Sequence, residues 1–193
     1  MPPTLSSDAV LELFASQGAL LEGHFRLTSG LHSTGYLQCA LVLQQPELAE
    51  RLGREIAART RDLGATAVLS PALGGVVIGH EVARALGTRA LFAERVDGRL
   101  ALRRGFVLSP SDVVLVVEDV VTTGGSTAET IEVARAHGAR VAGAAAIIDR
   151  SGGAVALGVP FLALAERSLP TYTAETCPLC ARGLPAVKPG SRQ

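Results

Sequence analysis

The feature that most constrains the fold is residues 113–127, VVLVVEDVVTTGGST, where a hydrophobic run leads into a turn of small and hydroxyl-bearing side chains. Five apolar residues, Val113 to Val117, have the β-branched content of a buried parallel strand. A helical pattern follows from Thr127 to His137 and stops at Gly138. The segment is therefore predicted to be a strand, turn and helix, with its acidic pair and turn at the carboxyl end of the strand, where open α/β sheets bind ligands.

The same alternation of strand and helix patterns runs through the rest of the chain. Further buried strands are predicted at residues 67–70, 90–93 and 141–148, and further helices after a cap at Ser6 or Ser7, from Pro46 to Gly64, and at residues 76–86. This alternation predicts an α/β fold, an open and mostly parallel sheet with helices on both faces. A length of 193 residues with 48% hydrophobic content predicts a single domain spanning residues 1–193.

The pattern changes at residues 92–106, FAERVDGRLALRRGF. Asp97-Gly98 is a strong signal for a two-residue hairpin turn. Such an isolated two-stranded ribbon is only marginally stable, so the segment is predicted to be a protruding β-arm that needs something to pack on. Three of its four arginines, Arg95, Arg103 and Arg104, are candidates to meet an anion, although a solvated charged surface is the usual outcome for such clusters.

The turn at Thr122–Thr127 has the residue types of a phosphate site. Its two glycines permit close approach of the backbone, and its hydroxyls stand beside the positive end of the following helix. Glu118 and Asp119 would then lie about one sugar length away, suited to ribose hydroxyls or to magnesium. An acidic pair or a glycine turn alone is commonly structural, but the ordered combination is more specific. Neither a Walker A lysine nor a GxGxxG fingerprint occurs at this site.

Charge and cysteine content limit the class of protein. Eighteen basic residues balance eighteen acidic ones, which argues against nucleic-acid or membrane-surface binding by the chain as a whole. The N-terminal residues lack a basic region followed by an apolar stretch, and no run approaches the roughly 18 apolar residues of a membrane span. With three cysteines, too few for a disulfide framework, a cytoplasmic protein is expected.

The remaining metal-binding residue types give a weak signal. Cys177 and Cys180 have the spacing of half a zinc knuckle, and a complete site would need Cys39, a histidine or a second subunit. A reduced structural pair is the preferred interpretation. No chemistry is assigned to the histidines, which lack metal-ligand spacing: His24, His32, His80 and His137.

Four segments carry a resemblance to a known family. EDVVTTGGST at 118–127 resembles the signature of type I phosphoribosyltransferases, and three further segments are similar to orotate phosphoribosyltransferases: FRLTSGLHSTGY at 25–36, LRRGF at 102–106 and DRSGG at 149–153. The resemblance covers nearly the entire chain. It implies a magnesium-dependent transfer of ribose 5-phosphate from phosphoribosyl pyrophosphate to orotate, yielding orotidine 5-phosphate. It also implies a hood over the base, formed by about residues 1–45 and the C-terminal segment, and a homodimer with shared active sites.

The resemblance implies roles for individual residues. Phosphoribosyl pyrophosphate would be bound by Ala72, Leu73, Gly74, Gly75, Arg95, Glu118, Asp119, Val120, Val121, Thr122, Thr123, Gly124, Gly125, Ser126 and Thr127. Orotate would be bound by Ser29, Tyr36, Thr122 and Arg150, whose guanidinium would hold the carboxylate. Arg103, Arg104 and Asp119 would be catalytic, and magnesium would be held mainly through the substrate, with Glu118 and Asp119 as candidate ligands.

Structural alternatives accompany two of these assignments, and the chain departs from the family pattern in three places. Arg150 could instead form a surface salt bridge with Asp149, and the PALGG segment at 71–75 could be a simple turn rather than a set of pyrophosphate-binding amides. Thr28 and Gly74 stand where many family members carry lysine, and the arginine-bearing hairpin replaces a lysine-rich mobile loop. Two other functions therefore stay open: transfer to a purine or another base, and a non-enzymatic sensor of phosphoribosyl pyrophosphate.

Overall fold

A six-stranded sheet forms the centre of the protein, whose computed structural model describes residues 5–27 and 30–188. Its strands, in spatial order, are β5 (Arg99–Leu102), β4 (Arg89–Val96), β3 (Ala67–Pro71), β6 (Val113–Val121), β7 (Arg140–Asp149) and β8 (Phe161–Glu166). Every neighbouring pair is parallel except β4 and β5, which form an antiparallel hairpin at the edge. The predicted open and mostly parallel sheet is confirmed.

Helices cover both faces of this sheet because its central strands are apolar on both sides. On one face lie α1 (Ser7–Ser16), α2 (Cys39–Leu43), α3 (Pro46–Thr60) and α4 (Gly74–Leu86); on the other lies α5 (Gly125–Ala136). Leu115 and Val117 of β6 pack toward the first group, whereas Val114 and Val116 pack toward α5. The alternation of side chains along a strand thus builds two cores from one segment.

A second, smaller sheet lies at the N-terminal end of the fold. It contains β1 (Leu20–Arg26), β2 (His32–Leu37) and β9 (Thr171–Tyr172), all antiparallel. The C-terminal segment adds the short helix α6 (Pro178–Ala181), and the Val187 carbonyl accepts a hydrogen bond from the Arg26 amide at 2.8 Å. The C-terminal segment therefore pairs with β1 of this small sheet.

The hairpin forms where predicted, but the prediction that it is an isolated two-stranded ribbon is wrong. Asp97 and Gly98 both adopt positive φ values, 50° and 83°, as the two-residue turn requires. The strands belong to the main sheet, Leu100 is 6% exposed, and its amide donates to Glu129 Oε1 of α5 at 2.6 Å. Packing on α5 stabilises the edge strand within its own chain.

Strand β6 and helix α5 also extend further than the sequence indicated. The strand continues through the acidic pair to Val121, because β7 lies beside it and pairs with it as far as Asp149. The helix begins at Gly125, so the end of the phosphate-like motif forms its first turn. Within residues 5–27 and 30–188, no helix has both the length and the apolarity needed to cross a bilayer.

Candidate active site

A cavity of about 910 Å³ opens at the carboxyl ends of β6 and β7. Its walls come from the end of β6, the turn into α5, the segment after β7 and the small sheet. The volume lies within the range of small-molecule sites, and the position is the one at which open parallel sheets bind ligands. This cavity is the candidate active site.

The turn between β6 and α5 forms a cradle on the cavity wall. Gly124 has φ 79°, and a Cβ at this residue would lie 2.3 Å from Cγ2 of Val155, so only glycine fits. Thr122, Thr123 and Ser126 are exposed toward the opening at the start of the 12-residue helix α5. Free amide N–H groups and the positive end of the helix dipole favour an anion there. The cradle can therefore bind a phosphate.

Two adjacent carboxylates line the cavity next to the cradle. Glu118 is 7% exposed, and burial together with the negative charge of Asp119 raises its pKa to about 10. Neither carboxylate forms a salt bridge within the described parts of the chain. Without a positive partner among the described residues, the pair is suited to ligands that donate hydrogen bonds or carry positive charge.

The turn between β3 and α4 lies directly against these carboxylates. A Cβ at Gly74 would stand 2.7 Å from Oδ1 of Asp119, and one at Gly75 would stand 3.2 Å from Oε1 of Glu118. Glycine is therefore needed here for close approach rather than for a special φ value. Leu73 is 87% exposed, and the peptide bond between Ala72 and Leu73 is cis. The PALGG turn therefore contacts the acidic pair, although its residues do not line the cavity itself.

Arg150 provides a cation that lines the same cavity. Its amide donates to the Val121 carbonyl at 2.8 Å, which fixes the residue at the end of β6 next to Thr122. The guanidinium forms no salt bridge with Asp149, whose Oδ1 instead accepts from the Ser151 amide at 2.7 Å. Burial lowers the pKa of Arg150, and its Nε is a buried donor without a hydrogen-bond partner among the described residues. Arg150 can therefore bind an anion through its unsatisfied donor.

Tyr36 of β2 lies on the same wall as Arg150. Burial, with a contribution from the charge of Asp119, raises the pKa of the Tyr36 hydroxyl, which therefore stays protonated at neutral pH. The ring packs against Phe25 with centroids 5.8 Å apart. An aromatic ring and a guanidinium side by side make a suitable subsite for a planar anion. Ser29, the other hood residue predicted to bind the base, lies outside the described residues.

The hairpin arginines occupy different environments. Arg95 lines the cavity and pairs with Glu129 of α5 at 3.1 Å. Arg104 lies outside the cavity and pairs bidentately with Glu94, at 2.6 and 2.9 Å. Arg103 is also outside, is exposed, and makes no salt bridge within the described residues. Within one chain the structure therefore brings Arg95, but neither of the other two, to the site.

Two further cations line the cavity and were assigned no role from the sequence. Arg26 ends β1, and Lys188 follows the segment that pairs with it. Arg26 belongs to the FRLTSG motif, so its position could have been suspected. Lys188 gave no such signal, because only the pairing of Val187 with the hood brings the C-terminal segment to the cavity.

The structure groups two of the four histidines, to which the sequence gave no chemistry, with the CxxC pair. His24 and His32 lie together with Cys177 and Cys180, with their candidate ligand atoms all within 4.8 Å of one another. Strands β1 and β2 of the small sheet, which corresponds to the predicted hood, bring the two histidines together. The C-terminal segment adds the cysteines, so spacing in the sequence did not reveal the group.

The fold places the chain in the class of type I phosphoribosyltransferases. No family model matches the chain. The chain is 54% identical to the orotate phosphoribosyltransferase of Pelotomaculum thermopropionicum over 189 residues, covering 98% of this chain and all of the relative. It is also 54% identical to that of Heliobacterium modesticaldum over 190 residues, covering 97% of this chain and all of the relative. The protein belongs to the orotate phosphoribosyltransferase family.

A solved structure is similar over most of the fold. The crystal structure of orotate phosphoribosyltransferase from Aeropyrum pernix has a TM-score of 0.65 and 28% identity, covering 81% of this chain and 93% of that one. The likeness extends the family assignment from the sequence to the arrangement of the sheet and its helices.

Proposed function

We propose that the protein transfers ribose 5-phosphate from phosphoribosyl pyrophosphate to N1 of orotate, giving orotidine 5-phosphate and pyrophosphate, a step of pyrimidine synthesis. The observation that carries the choice of base is Arg150, a half-buried guanidinium with an unsatisfied donor in the same cavity as the phosphate cradle. Orotate supplies the planar carboxylate that such a group binds in a two-pronged manner. The family's name points to the same base.

In this proposal the cradle holds the 5-phosphate. The amides and hydroxyls from Val120 to Thr127 would surround it at the start of α5. Glu118 and Asp119 would accept hydrogen bonds from the ribose hydroxyls. The amides of Leu73 to Gly75 would bind the pyrophosphate, because this turn lies against Asp119. Ala72, which the sequence also assigned to pyrophosphate, does not offer its amide, because that N–H already donates to the Ala93 carbonyl at 2.8 Å. Because the 5-phosphate, the ribose hydroxyls and the pyrophosphate would each be bound, the C1 carbon of the ribose would be held in place relative to the base.

The carboxylate pair is also suited to Mg²⁺. Neither Glu118 nor Asp119 pairs with a cation in the part of the chain that the structure describes. Mg²⁺ prefers a small number of carboxylates together with substrate oxygens and water, and the pair matches that preference. Bound magnesium would offset the charge that builds on the leaving pyrophosphate. Glu118 and Asp119 are the candidate ligands, and the substrate would supply most of the remainder.

Orotate would lie between the hood and the end of β7. Arg150 would hold its carboxylate, Thr122 and Tyr36 would contact the ring, and Ser29 would complete the hood side of the pocket. C1 gains positive character as pyrophosphate leaves, so holding the anionic ring against C1 supplies much of the rate by proximity. Arg95 would stabilise charge on the leaving group from within the same chain.

The overall proposal is tested by following orotate consumption with phosphoribosyl pyrophosphate, in the presence and in the absence of magnesium. We expect orotate to disappear only when both phosphoribosyl pyrophosphate and magnesium are present. Consumption that is independent of magnesium would contradict the role given to the metal, and no consumption under any condition would contradict the function.

Asp119→Asn tests the ribose and pyrophosphate side of the cavity. The change removes a charge that faces the ribose and the PALGG turn, and we expect the KM for phosphoribosyl pyrophosphate to rise by about 10- to 100-fold, as for the loss of one charge-assisted hydrogen bond. Circular dichroism should show an unchanged fold. Asp62→Asn, at an exposed position in the turn after α3, is the matched control and should leave the kinetics unchanged. Unaltered kinetics in Asp119→Asn would remove this residue from the site.

We further propose that the protein acts as a cytoplasmic homodimer in which Arg103, with Arg104, serves the active site of the partner. Both side chains lie outside the cavity of their own chain, and Arg103 is exposed without a salt bridge among the described residues. For Arg104 to reach the partner's site, its salt bridge with Glu94 would have to break, so Arg103 is the stronger candidate for that role. The three cysteines are free thiols, as expected in a reducing compartment.

Mixed dimers test the shared site. An Arg103→Ala/Arg104→Ala chain and an Asp119→Asn chain, carrying different affinity tags, are expressed together, and dimers that hold both tags are isolated. We expect such dimers to recover up to about half of the wild-type activity, because one of their two sites combines an intact pocket with an intact hairpin. If the arginines act within their own chain, the mixed dimers show only the residual activity of the two parent variants.

A further inference from the structure

A second cluster of reactive side chains lies in the hood, away from the acidic pair and the cradle. It contains His24 of β1, His32 of β2, and Cys177 and Cys180 at the start and within α6. We propose that these four side chains bind a structural zinc ion that fastens the C-terminal segment to the hood. Two thiolates and two imidazoles are a ligand set that Zn²⁺ prefers over harder metals.

Four of the six distances between the candidate ligand atoms are near those of a tetrahedral site, and the other two are no longer than 4.8 Å. Cys177 Sγ and Cys180 Sγ lie 3.4 and 3.7 Å from His24 Nε2, and Cys180 Sγ lies 3.2 Å from His32 Nδ1. Zinc bonds of about 2.0 Å to nitrogen and about 2.3 Å to sulfur place tetrahedral ligands about 3.3–3.8 Å apart. The two nitrogens, now 2.8 Å apart, would separate by only about 0.5 Å to reach that arrangement.

The surroundings of His24 favour metal binding by the required atom. Its Nδ1 lies 2.8 Å from the Leu184 carbonyl, which can only accept, so the proton resides on Nδ1. The lone pair of Nε2 therefore points into the cluster. Metal-bound histidines are typically held in this way, with the other ring nitrogen donating to a backbone carbonyl or a carboxylate.

The cluster has the enclosure of a structural rather than a catalytic site. His24 and His32 are each 7% exposed and Cys177 is 2% exposed. Four protein ligands fill the coordination of zinc and leave no position for water or substrate. All three cysteines are free thiols, so the pair is available for binding.

The two halves of the cluster are far apart in sequence. His24 and Cys177 are separated by 153 residues. A metal link between them closes a long loop, and in chain-entropy terms links across long loops stabilise the folded state most.

The backbone also joins β1 to the C-terminal segment, since the Val187 amide donates to the His24 carbonyl at 2.8 Å. Arg26 and Lys188, which line the large cavity, follow on from these two segments. The metal would therefore hold one wall of the active site in place.

Metal analysis of the full-length wild-type chain is the first test. Protein purified without chelators, saturated with zinc and then desalted should retain one zinc per chain. X-ray absorption should show two sulfur neighbours at about 2.3 Å and two nitrogen neighbours at about 2.0 Å. Retention of less than a tenth of one equivalent, a shell of oxygen neighbours, or an intact mass showing a disulfide between Cys177 and Cys180 would overturn the proposal.

Variants give the second test. Cys177→Ser/Cys180→Ser and His24→Ala/His32→Ala should each lose at least nine-tenths of the bound zinc. His80→Ala/His137→Ala, at exposed positions outside the cluster, is the matched control and should retain it. Removing zinc from the wild type with a chelator should lower its melting temperature by more than about 5 °C, and zinc should restore it. Cluster variants that keep a full equivalent of zinc would place the metal elsewhere and overturn the proposal.

Discussion

Arg150→Ala should raise the KM for orotate by about 10- to 150-fold while leaving the KM for phosphoribosyl pyrophosphate within about twofold of the wild-type value. The estimate corresponds to the loss of a charge-assisted interaction of about 1.5–3 kcal/mol. The reason for a large effect is local: the guanidinium is half-buried, has an unsatisfied donor, and forms no salt bridge within the described residues. Steady-state kinetics with each substrate varied in turn gives both constants.

A second variant, a second base and a control variant make the Arg150 measurement specific for the carboxylate. Arg150→Lys keeps the charge but loses the planar fork, so it should fall between alanine and the wild type. Uracil, which is orotate without its carboxylate, should be used equally poorly by the wild type and by Arg150→Ala. Arg135→Ala, at an exposed position on α5, should behave as the wild type. A similar rise in the KM of both substrates would contradict direct binding of orotate by Arg150.

Glu118→Gln should stabilise the protein at alkaline pH while weakening the binding of phosphoribosyl pyrophosphate. Burial and the charge of Asp119 raise the pKa of Glu118 to about 10. The folded state therefore keeps a proton that the unfolded chain releases above its ordinary pKa of about 4.5. The stability contribution of that proton is complete below pH 4.5 and decreases as the pH rises toward 10. Glutamine is neutral throughout and has no such dependence.

Thermal and denaturant unfolding at two pH values measures this effect. At pH 8 we expect the variant to exceed the wild type by about 1–4 kcal/mol in free energy of unfolding, and at pH 5 we expect the two to be nearly equal. Glu12→Gln, at an exposed position on α1, should show no difference at either pH. A stability difference that is the same at both pH values would show that the proton on Glu118 is not its cause. Higher stability with lost binding would mark Glu118 as a residue kept for function.

The parts of the fold that the sequence predicted are those in which neighbours along the chain decide the structure. The apolar run of β6, the glycine-containing turn and the amphipathic helix α5 follow one another within residues 113–136, so local pattern was sufficient. The hairpin turn at Asp97-Gly98 was predicted for the same reason. Residues 122–127 and 150 could then be named as candidate site residues, since they follow predicted strands.

Contacts between distant segments could not be predicted in this way. The hairpin was expected to lack a packing surface, because the sequence does not show that Glu129 of α5 lies opposite Leu100. Lys188 reaches the cavity only because the C-terminal segment pairs with β1. His24 and His32 are separated from the CxxC pair by about 150 residues, and they meet because the C-terminal segment pairs with β1. Such groupings depend on tertiary structure rather than on spacing.

The most direct test of the proposed function is the identity of the product formed from a panel of bases. The wild-type chain, phosphoribosyl pyrophosphate and magnesium are incubated separately with orotate, adenine, hypoxanthine and xanthine, and nucleotides are identified by mass spectrometry while pyrophosphate is quantified. The account predicts orotidine 5-phosphate and pyrophosphate in equal amounts from orotate, and no nucleotide from the purines. A purine nucleotide formed while orotate stays unused, or pyrophosphate release without any nucleotide, would contradict it.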